Sequence, residues 1–163
     1  MGTKIANNNH FILYVTENGK IKVDVLIKDE TIWLTINQMA ELFSIDKSGI
    51  SRHIKNIYKT GELKQQGTVA KFATVQNEGQ RTVSRQLEYY NLDMIISVGY
   101  RVNSIRGTQF RIWSTQQLKE LIIKGFVLND EKLKNPDNPF GKDYFDNLLE
   151  RIRDIRSSEK RFY

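Results

Sequence analysis

The residues with the greatest chemical reach lie between Asp46 and Lys59. Lys47, Ser48, Ser51, Arg52, Lys55 and Lys59 recur there at separations of three, four and seven positions. Wound into a helix, that spacing gathers ammonium, guanidinium and hydroxyl groups on one face. Groups of these types, so arranged, bind phosphate oxygens and base edges of duplex DNA. Arg81 and Arg85 follow on a later segment, where they would add contacts to the phosphate backbone.

Nothing comparable supports catalysis. The two histidines, His10 and His53, have neither the spacing of metal ligands nor companions that would make one a general base. There is no cysteine, which excludes disulfides, thiolate metal sites and zinc fingers. Phosphate-cradling glycine loops and nucleophile elbows are absent from the sequence. Asp143, Asp146 and Glu150 fall on one face of a C-terminal helix, but acids in first turns chiefly offset the helix dipole, and a magnesium site normally also needs a substrate phosphate. The sequence therefore predicts a protein that is not an enzyme, with no metal and no cofactor.

Several elements must hold these side chains in place. Residues 11–15 and 21–26 are β-rich runs around Asn18 and Gly19, a pair that supplies the positive backbone angles of a tight hairpin turn. Residues 31–34 read as a third strand ending on Thr35, a good helix N-cap. From Ile36, the apolar positions Met39, Ala40, Leu42 and Phe43 keep helical spacing; Ser44, Ile45 and Asp46 interrupt it; Ile50, Ile54, Ile57 and Tyr58 resume it as far as Gly61. Ala40 is the small residue where two such helices touch, Ile45 the apolar corner, and Ile50 and Ile54 the anchors, which is the pattern of a helix-turn-helix unit. Two residues depart from it. Ser44 stands where glycine is common, and Gly49 lies inside the second helix at a cost of about 1 kcal/mol relative to alanine, although it would permit close backbone approach. A helical hairpin whose basic face meets only water has the same pattern. Residues 68–75 and 81–90 flank a polar turn at 76–80 and read as a second hairpin, placed where a wing would be.

Downstream, Asn91 caps a helix running to Val102 with Leu92, Ile95, Ile96, Gly99 and Val102 inward. Residues 103–107 form a corner, and Thr108 caps a further helix with Phe110, Trp113, Leu118, Leu121 and Ile122 inward, stopped by Gly125. Residues 126–140 are mostly loop, with Pro136 and Pro139 and a short helical turn near 130–133. Residues 142–163 carry Phe145, Leu148, Ile152, Ile155, Glu159 and Phe162 at three-and-four spacing, as in a long amphipathic helix.

A chain of 163 residues that is 39% hydrophobic and 27% charged can form one sizeable core plus an appendage, and is not a disordered polymer. Its formal charge of +6 is uneven: residues 45–64 hold five cations against two carboxylates, residues 81–111 five arginines against two carboxylates, and the first 44 residues are slightly acidic. Such asymmetry suits a polyanion met on one face. No run reaches the length of a membrane span and no basic-then-apolar leader opens the chain, so no membrane partner and a cytoplasmic location are expected.

Longer phrases carry a resemblance. Trp33-Leu-Thr, Gln38-Met-Ala-Glu-Leu-Phe43, His53-Ile-Lys-Asn-Ile57, Tyr90-Asn-Leu-Asp93, Ile95-Ile-Ser-Val-Gly-Tyr-Arg-Val102, Arg106-Gly-Thr-Gln-Phe-Arg111 with Trp113, Lys124-Gly-Phe126, and Tyr144-Phe145 with Leu148-Leu-Glu-Arg-Ile-Arg-Asp-Ile-Arg156 resemble the RhuM virulence protein family over nearly the whole chain. A looser similarity links the chain to the N-terminal domains of phage antirepressors. The family resemblance implies a bacterial cytoplasmic protein, often linked to mobile or pathogenicity-associated DNA, with a DNA-binding-like N-terminal region and no settled biochemical activity. It also implies further chain beyond Tyr163, and hence a truncated member or a domain. In the phrase from Gly99 to Trp113, Arg101, Arg106 and Arg111 would contact phosphate or peptide. The favoured reading is a helix–helix corner in which Gly107 permits the turn, Thr108 caps, and Phe110 and Trp113 fill the core.

The expected fold is α+β: a winged helix-turn-helix-like core with an N-terminal β-hairpin, additional helices and a long C-terminal amphipathic helix. It divides into residues 1–130 and a linker with helix at 131–163. The expected function is a regulatory module that binds double-stranded DNA through the helix at 46–58 and the hairpin after it. The alternative is a protein-interaction scaffold that forms a homodimer through Phe145, Leu148, Ile152 and Ile155 without binding DNA. In that reading Glu150 to Arg153 and Arg156 to Glu159 are the flanking charge pairs.

Overall fold

Strands β1 (His10–Thr16) and β2 (Gly19–Asp24) pair antiparallel as the predicted hairpin in the computed structural model, which describes residues 10–135, 140 and 144–158. The turn differs from the expected one. Only Gly19 adopts a positive φ, +126°, while the Thr16 hydroxyl accepts from the Asn18 amide at 3.2 Å and organises the bend. A register shift between Ile12 and Tyr14 lets the successive residues Leu13 and Tyr14 both pack toward the core, Tyr14 fully buried.

The second expected strand is cut short. Leu26 belongs to a separate strand, β3 (Leu26–Lys28), which turns through Asp29 and Glu30, both at positive φ, into β4 (Thr31–Leu34). Ile32, Trp33 and Leu34 of β4 are buried, as befits an inner strand. Thr35 caps helix α1 (Ile36–Phe43) as expected, and Gln38 completes a capping box with it, a partnership signalled by the Thr-x-x-Gln spacing. Ser44 then takes the left-handed conformation, φ 53°, that glycine usually fills, and Asp46 caps α2 (Lys47–Lys59).

The hairpin that follows, β5 (Val69–Glu78) and β6 (Arg81–Asn91), is longer than its composition suggests. Its strands run to Glu78 and Arg81, so the expected five-residue turn shrinks to Gly79 and Gln80. Trp33 and Leu34 of β4 pair with Asn91 and Tyr90 of β6, giving a four-stranded sheet in the order β3-β4-β6-β5. A small satellite cluster covers one face of it: Trp33 and Tyr89 each stack edge-on against Phe72, with the Lys28 ammonium 4.7 Å from the Phe72 ring centre.

Asn91 caps α3 (Leu92–Arg101) as expected, but its buried stripe is Met94, Ile95, Val98 and Gly99, and Ile96 faces out. Ile95 and Gly99 already fix one helical row; Met94 and Val98 lie on the adjacent row toward the core, and Ile96 is turned away from both. Helix α4 (Ile105–Lys124) starts four residues earlier than predicted. Its cap is Ser104, not Thr108, because the Ser104 oxygen accepts from the Gly107 amide at 2.9 Å and its hydroxyl donates to the Phe43 carbonyl at 2.6 Å, joining the start of α4 to the end of α1. Gly107 is needed for proximity: a Cβ there would lie 2.5 Å from Val102 Cγ2. Gly125 ends α4 at φ +85° as expected.

Phe110 is buried and Trp113 half-buried as anticipated, whereas Leu118, Leu121 and Ile122 are exposed, since α4 extends past the core it packs on. Helix α5 (Asp130–Lys134) lies against the first hairpin through a Lys20–Glu131 ion pair of 2.7 Å and the Lys132 ammonium 5.4 Å from the Phe11 ring centre. Helix α6 (Tyr144–Ser157) falls within the predicted terminal helix and has no buried residue. Lys142, Asp143, Glu159, Phe162, Pro136 and Pro139, on which parts of the sequence reading rest, lie outside the described residues.

Candidate nucleic-acid interface

Helix α2 owes its orientation to its rear face. Ile50, Ile54 and Ile57 are buried, packed in one core with Met39, Leu42 and Phe43 of α1 and with residues of α3. Gly49 is buried at the N-terminal end of that face, where a Cβ would lie 2.7 Å from Asp46 Oδ1 and 3.3 Å from Ile45 Cδ1. Its absence of side chain lets the capping carboxylate reach the Gly49 amide at 3.1 Å, which offsets the poor helix propensity of glycine. The Ser48 hydroxyl donates to the other Asp46 oxygen at 2.6 Å, and these two hydrogen bonds, that of Ser48 first, hold the Asp46 carboxyl below the usual carboxylate range. One of the amides that could attract a phosphate at this helix end, that of Gly49, is therefore occupied from within the chain.

The front face is different. Lys47, Ser48, Arg52, Lys55 and Lys59 are exposed and Ser51 is half-buried. At helical pitch these six positions fall within an arc of roughly 140°, with Lys55 near its middle. The thirteen residues of α2 contain no carboxylate, and among the described residues no ion pair engages Lys47, Arg52, Lys55 or Lys59.

Two further contacts fix this helix against its neighbours. The Tyr58 hydroxyl lies 2.9 Å from Thr68 Oγ1, tying the end of α2 to the foot of the hairpin. In the intervening loop Glu62 pairs with Arg101 of α3 and accepts from the Ser97 hydroxyl at 3.2 Å. The Arg101 hydrogen bond, chiefly, lowers the Glu62 carboxyl below its ordinary value. Partners 35 and 39 positions apart leave no local trace in a sequence, and this clamp was not foreseen.

Arg81 and Arg85 are not equivalent. Both are exposed, but Arg85 forms a 2.6 Å ion pair with Glu78 while Arg81 sits at the hairpin tip opposite Glu78 in the strand register. The helix and the tip are carried on separate elements, joined at the hairpin's foot. All three arginines in the 99–113 phrase have their guanidinium groups engaged within the chain, that of Arg106 beside the Tyr14 phenol, where burial raises the phenol's pKa and the guanidinium opposes the rise. Arg101 holds Glu62, and Arg111 donates to the Gly99 and Val102 carbonyls at 3.1 and 2.8 Å, closing the open end of α3. The Arg106 carbonyl accepts from the buried Tyr14 hydroxyl at 3.2 Å.

His53 is half-buried at the border of the cationic face, and its pKa is lowered, first by desolvation and then by Arg101 and Arg52. A histidine whose folded pKa is depressed binds its proton more readily when unfolded, so its contribution to stability is whole above pH ~6.5 and is lost as pH falls toward the folded value. His53→Gln is accordingly expected to flatten the dependence of urea midpoint on pH over that window, measured by denaturation at a series of pH values.

On α6, Phe145, Ile152 and Ile155 are exposed and Leu148 is half-buried. Asp146 and Glu150 are on this helix, while Asp143 lies outside the described residues; among the described residues no group of three His, Cys, Asp or Glu is placed to hold a metal. None of the helices in the described residues is long and apolar enough to cross a membrane.

Compared with known proteins, residues 67–163 match the model of the Virulence protein RhuM family. The matched span begins at the foot of the β5–β6 hairpin and runs through α6, leaving out α1 and α2. No curated protein and no solved structure matches the chain.

Proposed function

Because this chain belongs to the Virulence protein RhuM family, a virulence-associated group, we propose that it serves as a regulatory DNA-binding module, with α2 in the major groove and the β5–β6 hairpin beside the adjacent backbone as a wing. The observation that carries this reading is the front face of α2: four cations, no carboxylate in the helix, and a rear face of three buried isoleucines that keeps them pointing one way. A face that is merely solvated usually mixes both signs, because opposite charges one turn apart stabilise an exposed helix. This one forgoes that gain along its whole length.

The topology supports the wing. β4 precedes the helix pair, β6 follows it, and the two strands are hydrogen-bonded neighbours, so hairpin and helices share one base. Lys55, Lys47, Arg52 and Lys59 supply phosphate and base-edge contacts, with Ser51 among them, and Arg81 reaches the backbone from the wing tip. Ser48 and Arg85 contribute less, since each already serves a carboxylate of its own chain. An electrophoretic mobility shift with a mixed-sequence duplex at low ionic strength tests the proposal. A retarded complex is expected, and the absence of any complex overturns it.

A further inference from the structure

The cations on the front of α2 carry hydrogen-bond donors only, so phosphates and the guanine edge are what they can engage. An adenine edge is different. It sets an acceptor, N7, beside a donor, the N6 amino group, and is matched by a carboxamide, which has both. Among the uncharged side chains of this face, Ser51 is half-buried on its flank and the Ser48 hydroxyl is committed to the Asp46 carboxylate. Asn56 is left. It is exposed, and at helical pitch it lies about 50° from the direction opposite the buried Ile50, Ile54 and Ile57.

Nothing within the chain accounts for this residue. Its backbone carbonyl accepts from the Thr60 amide at 2.9 Å, but among the described residues its carboxamide makes no hydrogen bond. Asparagine is a poor choice for an exposed helix interior, because its side chain competes for backbone groups in other conformations. Asn56 carries that cost without an internal contact to offset it. Its surroundings on the helix are cationic: Arg52 lies one turn before it, Lys59 one turn after, and Lys55 across the face, all exposed. The opposite end of α2 presents the exposed Asp46 carboxylate, which repels phosphate. A duplex is therefore drawn toward the middle and last turns of the helix, where Asn56 stands.

We propose that Asn56 is a base-reading residue, its carboxamide donating to N7 and accepting from the N6 amino group of one adenine in the major groove. This rests on the reading of α2 as a duplex-binding helix and adds to it a specificity: the cations supply affinity for any sequence, and Asn56 selects one base pair. Charge and choice are thus carried by different side chains of one helix.

Selection of duplexes from a pool with a randomised core, by the whole wild-type chain and by Asn56→Ala, tests the assignment. The wild type is expected to fix an adenine in at least one position, and the variant to lose that preference while binding unselected duplex with unchanged affinity and salt slope. Alanine favours a helix at this exposed position, so the variant should fold, which circular dichroism checks. A second measurement needs no variant. 7-Deazaadenine at the selected position replaces N7 by C–H and keeps the Watson–Crick pairing; it is expected to weaken wild-type binding about tenfold and to leave Asn56→Ala binding unchanged. A wild type that binds duplex without selecting adenine, a preference that survives in Asn56→Ala, or indifference of the wild type to 7-deazaadenine overturns the role of Asn56 and leaves the DNA-binding reading in place. No duplex binding at all overturns both.

Discussion

Phe110→Ala is expected to cost about 3–5 kcal/mol of folding stability, a large share of the roughly 5–15 kcal/mol that a domain possesses. The ring is 2% exposed and stands among four others, with centroids 5.4 Å from Tyr14, 5.8 Å from Phe43, 5.8 Å from Tyr100 and 6.3 Å from Trp113. Those rings come from the first hairpin, α1, α3 and α4, so one side chain joins four elements. Gly99 makes room for it, since a Cβ at that position would lie 2.6 Å from the Phe110 ring. Alanine leaves a cavity that the surrounding elements can close only by moving together. Urea denaturation followed by tryptophan fluorescence measures the loss, and Phe110→Leu, which fills part of the space, should lose less. A cost under about 1 kcal/mol would mean that the ring is not the hub its contacts describe.

Arg52→Ala combined with Lys55→Ala is expected to weaken duplex binding by about a hundredfold, taking roughly 1–3 kcal/mol for a side chain that reaches bases, and to reduce the salt dependence by about two counterions if both reach phosphate. Both side chains are exposed and unpaired among the described residues, so the variant should melt within about 0.5 kcal/mol of wild type. That separation of binding from stability distinguishes the α2 cations from the downstream arginines. Arg101→Ala releases Glu62, and Arg111→Ala leaves the Gly99 and Val102 carbonyls without their donor; their effects should appear first in the denaturation midpoint. Fluorescence anisotropy with a labelled duplex, beside thermal melts of the same samples, checks both halves of the expectation.

What could be read from the sequence was local. The helix pair with its corner, both hairpins, and the caps Thr35, Asn91 and Gly125 each follow from a few adjacent residues, and the structure has all of them. The α2 cation face belongs to the same class, because a stripe of buried isoleucines fixes what must point the other way. The readings that went astray needed long-range information. Ser104 outcompetes Thr108 as a cap because Phe43, 61 positions earlier, offers it a carbonyl. Ile96 is apolar enough to be buried, but Met94 and Val98 take the inward row. Leu118, Leu121 and Ile122 keep the helical spacing of core residues, and periodicity tells which face is apolar without telling where the core ends. Arg85 looked like a free cation until the register brought it to Glu78. Likewise the pairing of β4 with β6, which holds wing and helices together, joins residues more than fifty positions apart.

The central claim, that the front of α2 is an electrostatic surface for duplex DNA, is tested most directly by titrating the whole chain with duplex across a range of salt concentrations. With Lys47, Arg52, Lys55 and Lys59 each neutralising a phosphate, the logarithm of the affinity should fall linearly with the logarithm of salt, with a slope of about −3.6 or steeper once Arg81 contributes. Affinity that does not respond to salt, or no binding at the lowest ionic strength, would contradict the account.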